Sequence, residues 1–397
     1  MTAESPTSES RLRLLERERF DDLLRALAAR GYRLLGPTVR DGAIVYDELD
    51  SGADLPEGWT DDQEGGTYRL RRREDQGLFG YAVGPRSWKQ FLWPPRVRLW
   101  RARAEGDGFE VEPEPSAPSK DAYIGVRSCD LHAIASLDSA LRDIPQPDAD
   151  YAARRANVFI VALNCWQAGG TCFCVSMGTG PRATSSFDVA LTEVVEDGRH
   201  YFLVEPGSDA GTEVVAELPL RDAESDELAA GERAIEQAVA GQGRTMDTTD
   251  LRDLLYRNYE HPRWDDVADR CLTCGNCTMV CPTCFCTTVE DVTDLTGTSS
   301  ERVREWDSCF TMDFSYVHGG SVRSTPRSRY RQWMTHKLAT WGDQFDTFGC
   351  VGCGRCITWC PVAIDITQEV AAIRATDSGG PEVWPPARPT GAGEEER

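Results

Sequence analysis

Two runs of four cysteines, each closed by a proline, constrain this chain more than anything else in it. The first is CLTCGNCTMVCP, with Cys271, Cys274, Cys277, Cys281 and Pro282. The second is CVGCGRCITWCP, with Cys350, Cys353, Cys356, Cys360 and Pro361. Both follow C-x2-C-x2-C-x3-C-P, the spacing with which a bacterial ferredoxin loop holds a [4Fe–4S] cluster. Thiolates spaced three apart wrap three corners of one cubane from a tight loop. Gly275, Gly352 and Gly354 let the backbone curl close to it. In two-cluster ferredoxins the fourth cysteine serves the other cluster. The runs therefore predict crossed ligation: Cys271, Cys274 and Cys277 with Cys360, and Cys350, Cys353 and Cys356 with Cys281. Structural zinc also uses C-x2-C pairs. Two complete runs, each ending in Cys-Pro, make an odd zinc site and favour iron–sulfur.

Residues 282–349 separate the runs, a longer link than compact two-cluster ferredoxins use. Two stretches of this insert, Glu301 to Met312 and Arg327 to Trp341, look helical and suggest an α-helical ferredoxin-like arrangement. The insert also holds SVRSTPRSRYRQWMTHK, the most basic stretch of the chain. It reads either as a solvated helix face or as positive charge that docks an acidic partner or raises cluster potentials. Three nearby thiols remain, Cys284, Cys286 and Cys309, and read as small buried hydrophobes packed under the cluster loops.

The front half holds a second cysteine group. GVRSCDLHAI carries Cys129 after the strand-like AYIGV, and VFIVALNC carries Cys165 after another apolar run; TCFC adds Cys172 and Cys174. Two strand ends and a loop can meet at the carboxyl edge of a parallel sheet, where sites commonly form. Spacing alone leaves three readings open: a further [4Fe–4S] cluster, a zinc site, or core packing.

Composition limits the remaining function classes. The chain has 397 residues and a formal net charge of -22, which argues against nucleic acid or an anionic membrane surface as the main partner. Its strongest apolar run, VFIVAL, is far short of the roughly 20 residues that span a bilayer. The opening MTAESPTSES is polar, without an apolar signal region. A cytoplasmic location is expected, where 15 cysteines point to metal or redox chemistry rather than disulfides. GTGPRA, residues 178–183, formally fits a dinucleotide loop but follows no clear strand; it reads better as a loop shielding a cluster. There is no P-loop, and no carboxylate pair or nucleophile constellation that suggests a catalytic residue. Among the five histidines only His132, three residues after Cys129, invites attention.

GVRSCDLHAI, NCWQAGGTCFCVSMGTGP, CLTCGNCTMVCPTCFC and CVGCGRCITWCPVAID occur in that order. Together they resemble the beta subunit of cytoplasmic NAD(P)-linked sulfhydrogenases, which are nickel–iron hydrogenases, and the related A subunit of anaerobic sulfite reductase. The resemblance spans roughly residues 10–370. It implies an iron–sulfur electron-transfer subunit with no substrate-converting site of its own. Its expected partners are a flavin subunit that handles NAD(P)H and the hydrogenase small and large subunits; alternatively it serves a sulfite reductase complex. The resemblance also favours a third cluster at Cys129, Cys165, Cys172 and Cys174, beside the two [4Fe–4S] clusters of the paired runs.

The expected organisation has four parts. Residues 1–31 carry an amphipathic helix over 11–30, ended by Gly31. Residues 32–245 form an α+β (mixed α/β) domain with the cysteine-rich site. Its strands are GTYRLRRRE, AYIGV, VFIVALN, SFDVALTEVV and HYFLVEPG; 106–121 is a loop and 222–244 is helix-prone. Residues 246–370 form the α-helical ferredoxin-like domain with two [4Fe–4S] clusters. Residues 371–397 are a disordered tail.

Overall fold

AYIGV and VFIVALN are continuous apolar runs without polar alternation, the mark of strands covered on both faces. In the computed structural model, which describes residues 12–113 and 119–379, they lie side by side at the centre of the main sheet. Its eight strands run in the order 221–222, 13–16, 199–206, 189–196, 158–164, 121–127, 33–40, 43–48. The four central strands, 189–196 through 33–40, are parallel; the outer pairings are antiparallel. One face packs on Phe20, Leu23, Leu27, Phe79 and Phe202, and the other on Trp88, Tyr123, Leu137 and Tyr151. The parallel strands place the turns after Arg127 and Asn164 at one carboxyl edge, the geometry that allows Cys129 and Cys165 to meet.

Several expected elements differ. The helix over 11–30 begins only at Phe20 and ends at Ala29, with Gly31 at φ 79 just beyond. Arg13–Glu16 instead form a strand, because Leu14 and Leu15 fill opposite faces beside the strand 199–206. The loop expected over 106–121 contains a strand, Gly108–Pro113; residues 114–118 lie outside the described residues. The tail expected from 371 starts inside a helix, Ile366–Ala375, which buries Val370 and Ile373; residues 380–397 lie outside the described residues.

The α-helical description of the cluster region needs the largest correction. Arg327 to Trp341 is helical as expected, over Pro326–Thr335 and a widened turn to Thr340. Glu301 to Met312 is not: Ser299–Trp306 is a strand. It sits in a four-stranded sheet between Thr287–Thr293 and Arg96–Glu105, followed by Gly108–Pro113. Glu301 opposes Arg101, Arg302 opposes Asp291 and Glu305 opposes Arg96. Opposite charges facing across strands add roughly 0.2–1 kcal/mol each. Charges that look like helix surface are paired with partners, two of them about two hundred residues away in sequence. This sheet stitches the insert to the front half.

The basic stretch is spent mostly inside the protein. Arg329 is buried on the carbonyls of Phe310, Arg323 and Ser324, Lys337 is buried, and Arg327 and Arg331 pair with Glu260.

Candidate metal centres

Each cysteine run curls as a loop into a one-turn helix, Asn276–Met279 or Arg355–Thr358, and the two turns pack together. Gly275 and Gly354 enter these turns at φ 77 and φ 76, the left-handed region where only glycine is unstrained. Gly354 has a second reason to be glycine: a Cβ there would stand 2.3 Å from the Thr171 carbonyl oxygen. At Gly352 a Cβ would come within 2.7 Å of the Cys174 backbone. The Cys350 loop is thus seated directly on the front TCFC loop, with Phe173 N–H donating to the Gly352 carbonyl at 2.8 Å. The variant Gly354→Ala is expected to lose at least ~2 kcal/mol of stability from backbone strain and the clash together. A fall in the anaerobic unfolding midpoint measures it.

Cys271, Cys274, Cys277 and Cys360 line one cavity, whose apolar wall is Phe310, Tyr330 and Trp333. Cys356 also reaches this cavity. Thr273 N–H donates to Cys271 Sγ at 3.4 Å, and Ile364 N–H to Cys360 Sγ at 3.3 Å. Burial, and then the thiols of Cys271, Cys360 and Cys274, push the Cys277 thiol well above its ordinary range.

Cys350, Cys353, Cys356 and Cys281 form the middle group. Burial and then Cys350, Cys353 and Cys281 raise the Cys356 thiol. Cys281 goes the other way. A hydrogen bond from the Cys284 thiol, reinforced by Lys337 and Thr283, holds it well below the usual thiol range, as a thiolate. The Lys337 Nζ stands 3.1 Å from Cys281 Sγ and also donates to Thr283 Oγ1 at 2.9 Å. The two fourth cysteines therefore cross between the loops, each standing with the other run's first three.

Cys129, Cys165, Cys172 and Cys174 line a second pocket, with Cys353 of the middle group on its wall. Cys129 is on the first turn of the helix Ser128–Leu141, immediately after its strand. Gln242 Nε2 donates to Cys174 Sγ at 2.8 Å, Gly169 N–H to Cys172 Sγ at 3.4 Å, and Arg127 Nη1 to Cys165 Sγ at 3.7 Å. Arg127 is buried, held by the carbonyls of Phe79 and Tyr81, and neighbouring Cys165 raises its pKa against the effect of burial. Burial pushes the Cys174 thiol up to about 12. The GTGPRA loop does border this cavity: Pro181 lines it, and Gly180 packs against Cys174 Sγ. His132 is half-buried on the helix of Cys129 and is not on the cavity wall.

Among the described residues, no three Cys, His, Asp or Glu side chains are placed to touch a single metal ion. A tetrahedral zinc would gather its sulfurs at about 2.3 Å from one point. The first and front cysteine sets instead line pockets, with N–H donors to their sulfurs, which suits a larger sulfur-ligated core. Since ligation requires thiolates, cluster binding must displace protons that burial holds on most of these thiols.

Sequence reasoning missed three features here. Arg355 and Asp130 form a buried two-pronged ion pair at 2.8 and 3.0 Å that joins the Cys350 loop to the helix of Cys129. Lys337 was read only as part of a charged stretch. Cys284, Cys286 and Cys309 do pack in the core beneath the cluster loops, with Cys271, Cys277, Cys350, Cys356 and Cys360 against the same apolar cluster, but they do more than fill space. They line a separate chamber. The repeated C-x-C of the two TCFC stretches was the one sequence signal that linked Cys284 and Cys286 to the front site.

The family model of the 4Fe-4S dicluster domain matches residues 270–364. The chain is 34% identical over 289 residues to sulfhydrogenase 2 subunit beta of Pyrococcus furiosus, which covers 72% of this chain and 82% of that protein. No solved structure matches it.

Proposed function

Since this chain belongs to the sulfhydrogenase beta subunit family, we propose that it is an electron-transfer subunit linking a flavin subunit that handles NAD(P)H to a nickel–iron hydrogenase module. The observation that carries this reading is contiguity. Cys356 of the middle group borders the first cavity, and Cys353 of the same group borders the front cavity. The three cysteine sets thus form one unbroken row.

One-electron chemistry would be supplied by [4Fe–4S] clusters held by the twelve cysteines of the three sets. The rest is the work of this chain's own residues. Phe310, Tyr330 and Trp333 keep water from the inner wall of the first cavity. Backbone N–H groups, Gln242, Arg127 and Lys337 donate to thiolate sulfur, which favours the more negative, reduced state of whatever the thiolates hold. Both ends of the row reach the surface. Cys274 is exposed beside Leu272, 61% exposed, and Met279, 41% exposed; at the front end Val175, next to Cys174, is 43% exposed. Two apolar surface points, one at each end, suit contacts with two partner subunits. No helix among the described residues is long and apolar enough to cross a membrane.

The front set tests the reading. The double variant Cys129→Ser with Cys174→Ser, purified without oxygen alongside its partner subunits, should lose about 4 iron atoms per chain. Hydrogen-dependent NAD(P) reduction by the complex should fall with it. Unchanged iron in the folded variant would mean that these thiols are packing and that the row ends at Cys353.

A further inference from the structure

We propose that Cys284, Cys286 and Cys309 hold an additional iron–sulfur centre in a chamber of their own, beside the middle group. The three thiols, with His336, line a chamber of about 530 Å3 that belongs to none of the three sets above. The segment after the first run brings Cys284 and Cys286 there, and Cys309 arrives from just beyond the strand Ser299–Trp306. The Asp307 N–H donates to the Cys286 carbonyl at 2.9 Å, which ties the segment of Cys309 to that of Cys286. His336 offers the fourth ligand, imidazole being a common partner of thiolate at metals.

Two further observations say that the chamber has an occupant, and what kind. The Nε of Arg323, the indole N–H of Trp333 and the indole N–H of Trp341, all on chamber-lining residues, are buried donors without a partner. Buried donors left unsatisfied cost roughly 1–3 kcal/mol each, and Arg323 and Trp341, which line this chamber and not the first cavity, would be relieved by an acceptor-rich ligand. Two buried lysines flank the thiols. Lys337 lines the chamber. Lys89 bonds the Cys284 carbonyl at 2.8 Å and lies over Trp306. Lys337 has the Cys281 sulfur at 3.1 Å as its counter-charge, whereas Lys89 has no carboxylate partner among the described residues. Buried cations need compensating negative charge. Thiolates around an inorganic sulfide core supply both the acceptors and the charge. On binding, each thiol gives up its proton to solvent and forms an iron–sulfur bond. The centre would branch from the row at Cys281, in a mostly apolar chamber whose polar groups include His336, Gln332 and Gln344.

The test uses the full chain, purified without oxygen or reconstituted with ferrous iron and sulfide. Iron and acid-labile sulfide should each reach about 16 per chain rather than about 12. The double variant Cys286→Ser with Cys309→Ser should lose about 4 of each, while the Cys129 and Cys174 variant loses a different 4. Because the variant can misfold, alkylation of the wild type gives a second readout. Cys284, Cys286 and Cys309 should resist iodoacetamide in the loaded protein and react once iron is chelated. A plateau at about 12 iron with these three thiols alkylated in the loaded protein would overturn the proposal. So would zinc recovered at these thiols, or a Cys286–Cys309 disulfide with no iron lost from the double variant. Each of those results leaves the iron of the three-set row, and the transfer role built on it, standing.

Discussion

The substitution Cys360→Ser is expected to strip the site of the Cys271 loop and to spare the Cys350 loop in which Cys360 itself lies. Cys360 shares its cavity with Cys271, Cys274 and Cys277, and Ile364 N–H holds its sulfur there at 3.3 Å. Serine keeps the shape but is a poor ligand for iron, so a cluster with three remaining thiolates is labile. The expected loss is about 4 iron atoms per chain. Reduced spectra should keep the signal that depends on Cys350 and Cys353. The mirror variant, Cys281→Ser, should do the reverse. It should also leave Lys337 without its nearest thiolate, which makes it the more destabilising of the two. Loss of the Cys350 signal in Cys360→Ser would refute crossed ligation and return each run to its own cluster.

Removing one half of the Arg355–Asp130 pair should be among the costliest single changes in the protein. Both side chains are essentially fully buried, and Arg355 also donates to the Gly84 carbonyl at 3.0 Å. Tyr46 lies beside Asp130, its hydroxyl at 3.4 Å. Asp130→Ala would leave a guanidinium buried without its counter-charge, a loss of about 3–5 kcal/mol. The same change loosens two ligand-bearing elements at once, because Asp130 adjoins Cys129 and Arg355 adjoins Cys356. The anaerobic unfolding midpoint should fall, and iron should be lost from both the front and the middle sets. Replacing both partners, Asp130→Leu with Arg355→Met, should recover most of the stability, since well-packed apolar pairs often match a buried ion pair. A single variant as stable as the parent would show that the pair contributes orientation only.

Local rules reached far into this protein. The spacing in each run fixes three thiols on one tight turn, and proline ends it, so the loops were legible without any knowledge of the rest. The strands 121–127 and 158–164 were legible too, because a strand buried on both faces has nowhere to put a polar residue. The meeting of Cys129 with Cys165 followed from those two strands being parallel neighbours.

What lay beyond reach were the elements and contacts that no spacing rule ties to their distant partner. Ser299–Trp306 carries alternating charges that suit a helix surface equally well. Only Arg101 and Asp291 opposite them make it a strand. Leu14 and Leu15 look like the start of a helix until the strand 199–206 offers a ladder to join. The three spare thiols look like small apolar residues, because neither Lys89, from the front half, nor Arg323 and Trp341, from the insert, can be placed near them by spacing. Sequence determined the ligand loops, since their chemistry is local. Tertiary structure alone decided what joins the cysteine sets, the Arg355–Asp130 pair and the place of Lys337 and Lys89, since those contacts depend on which charges and donors the rest of the chain brings to the thiols.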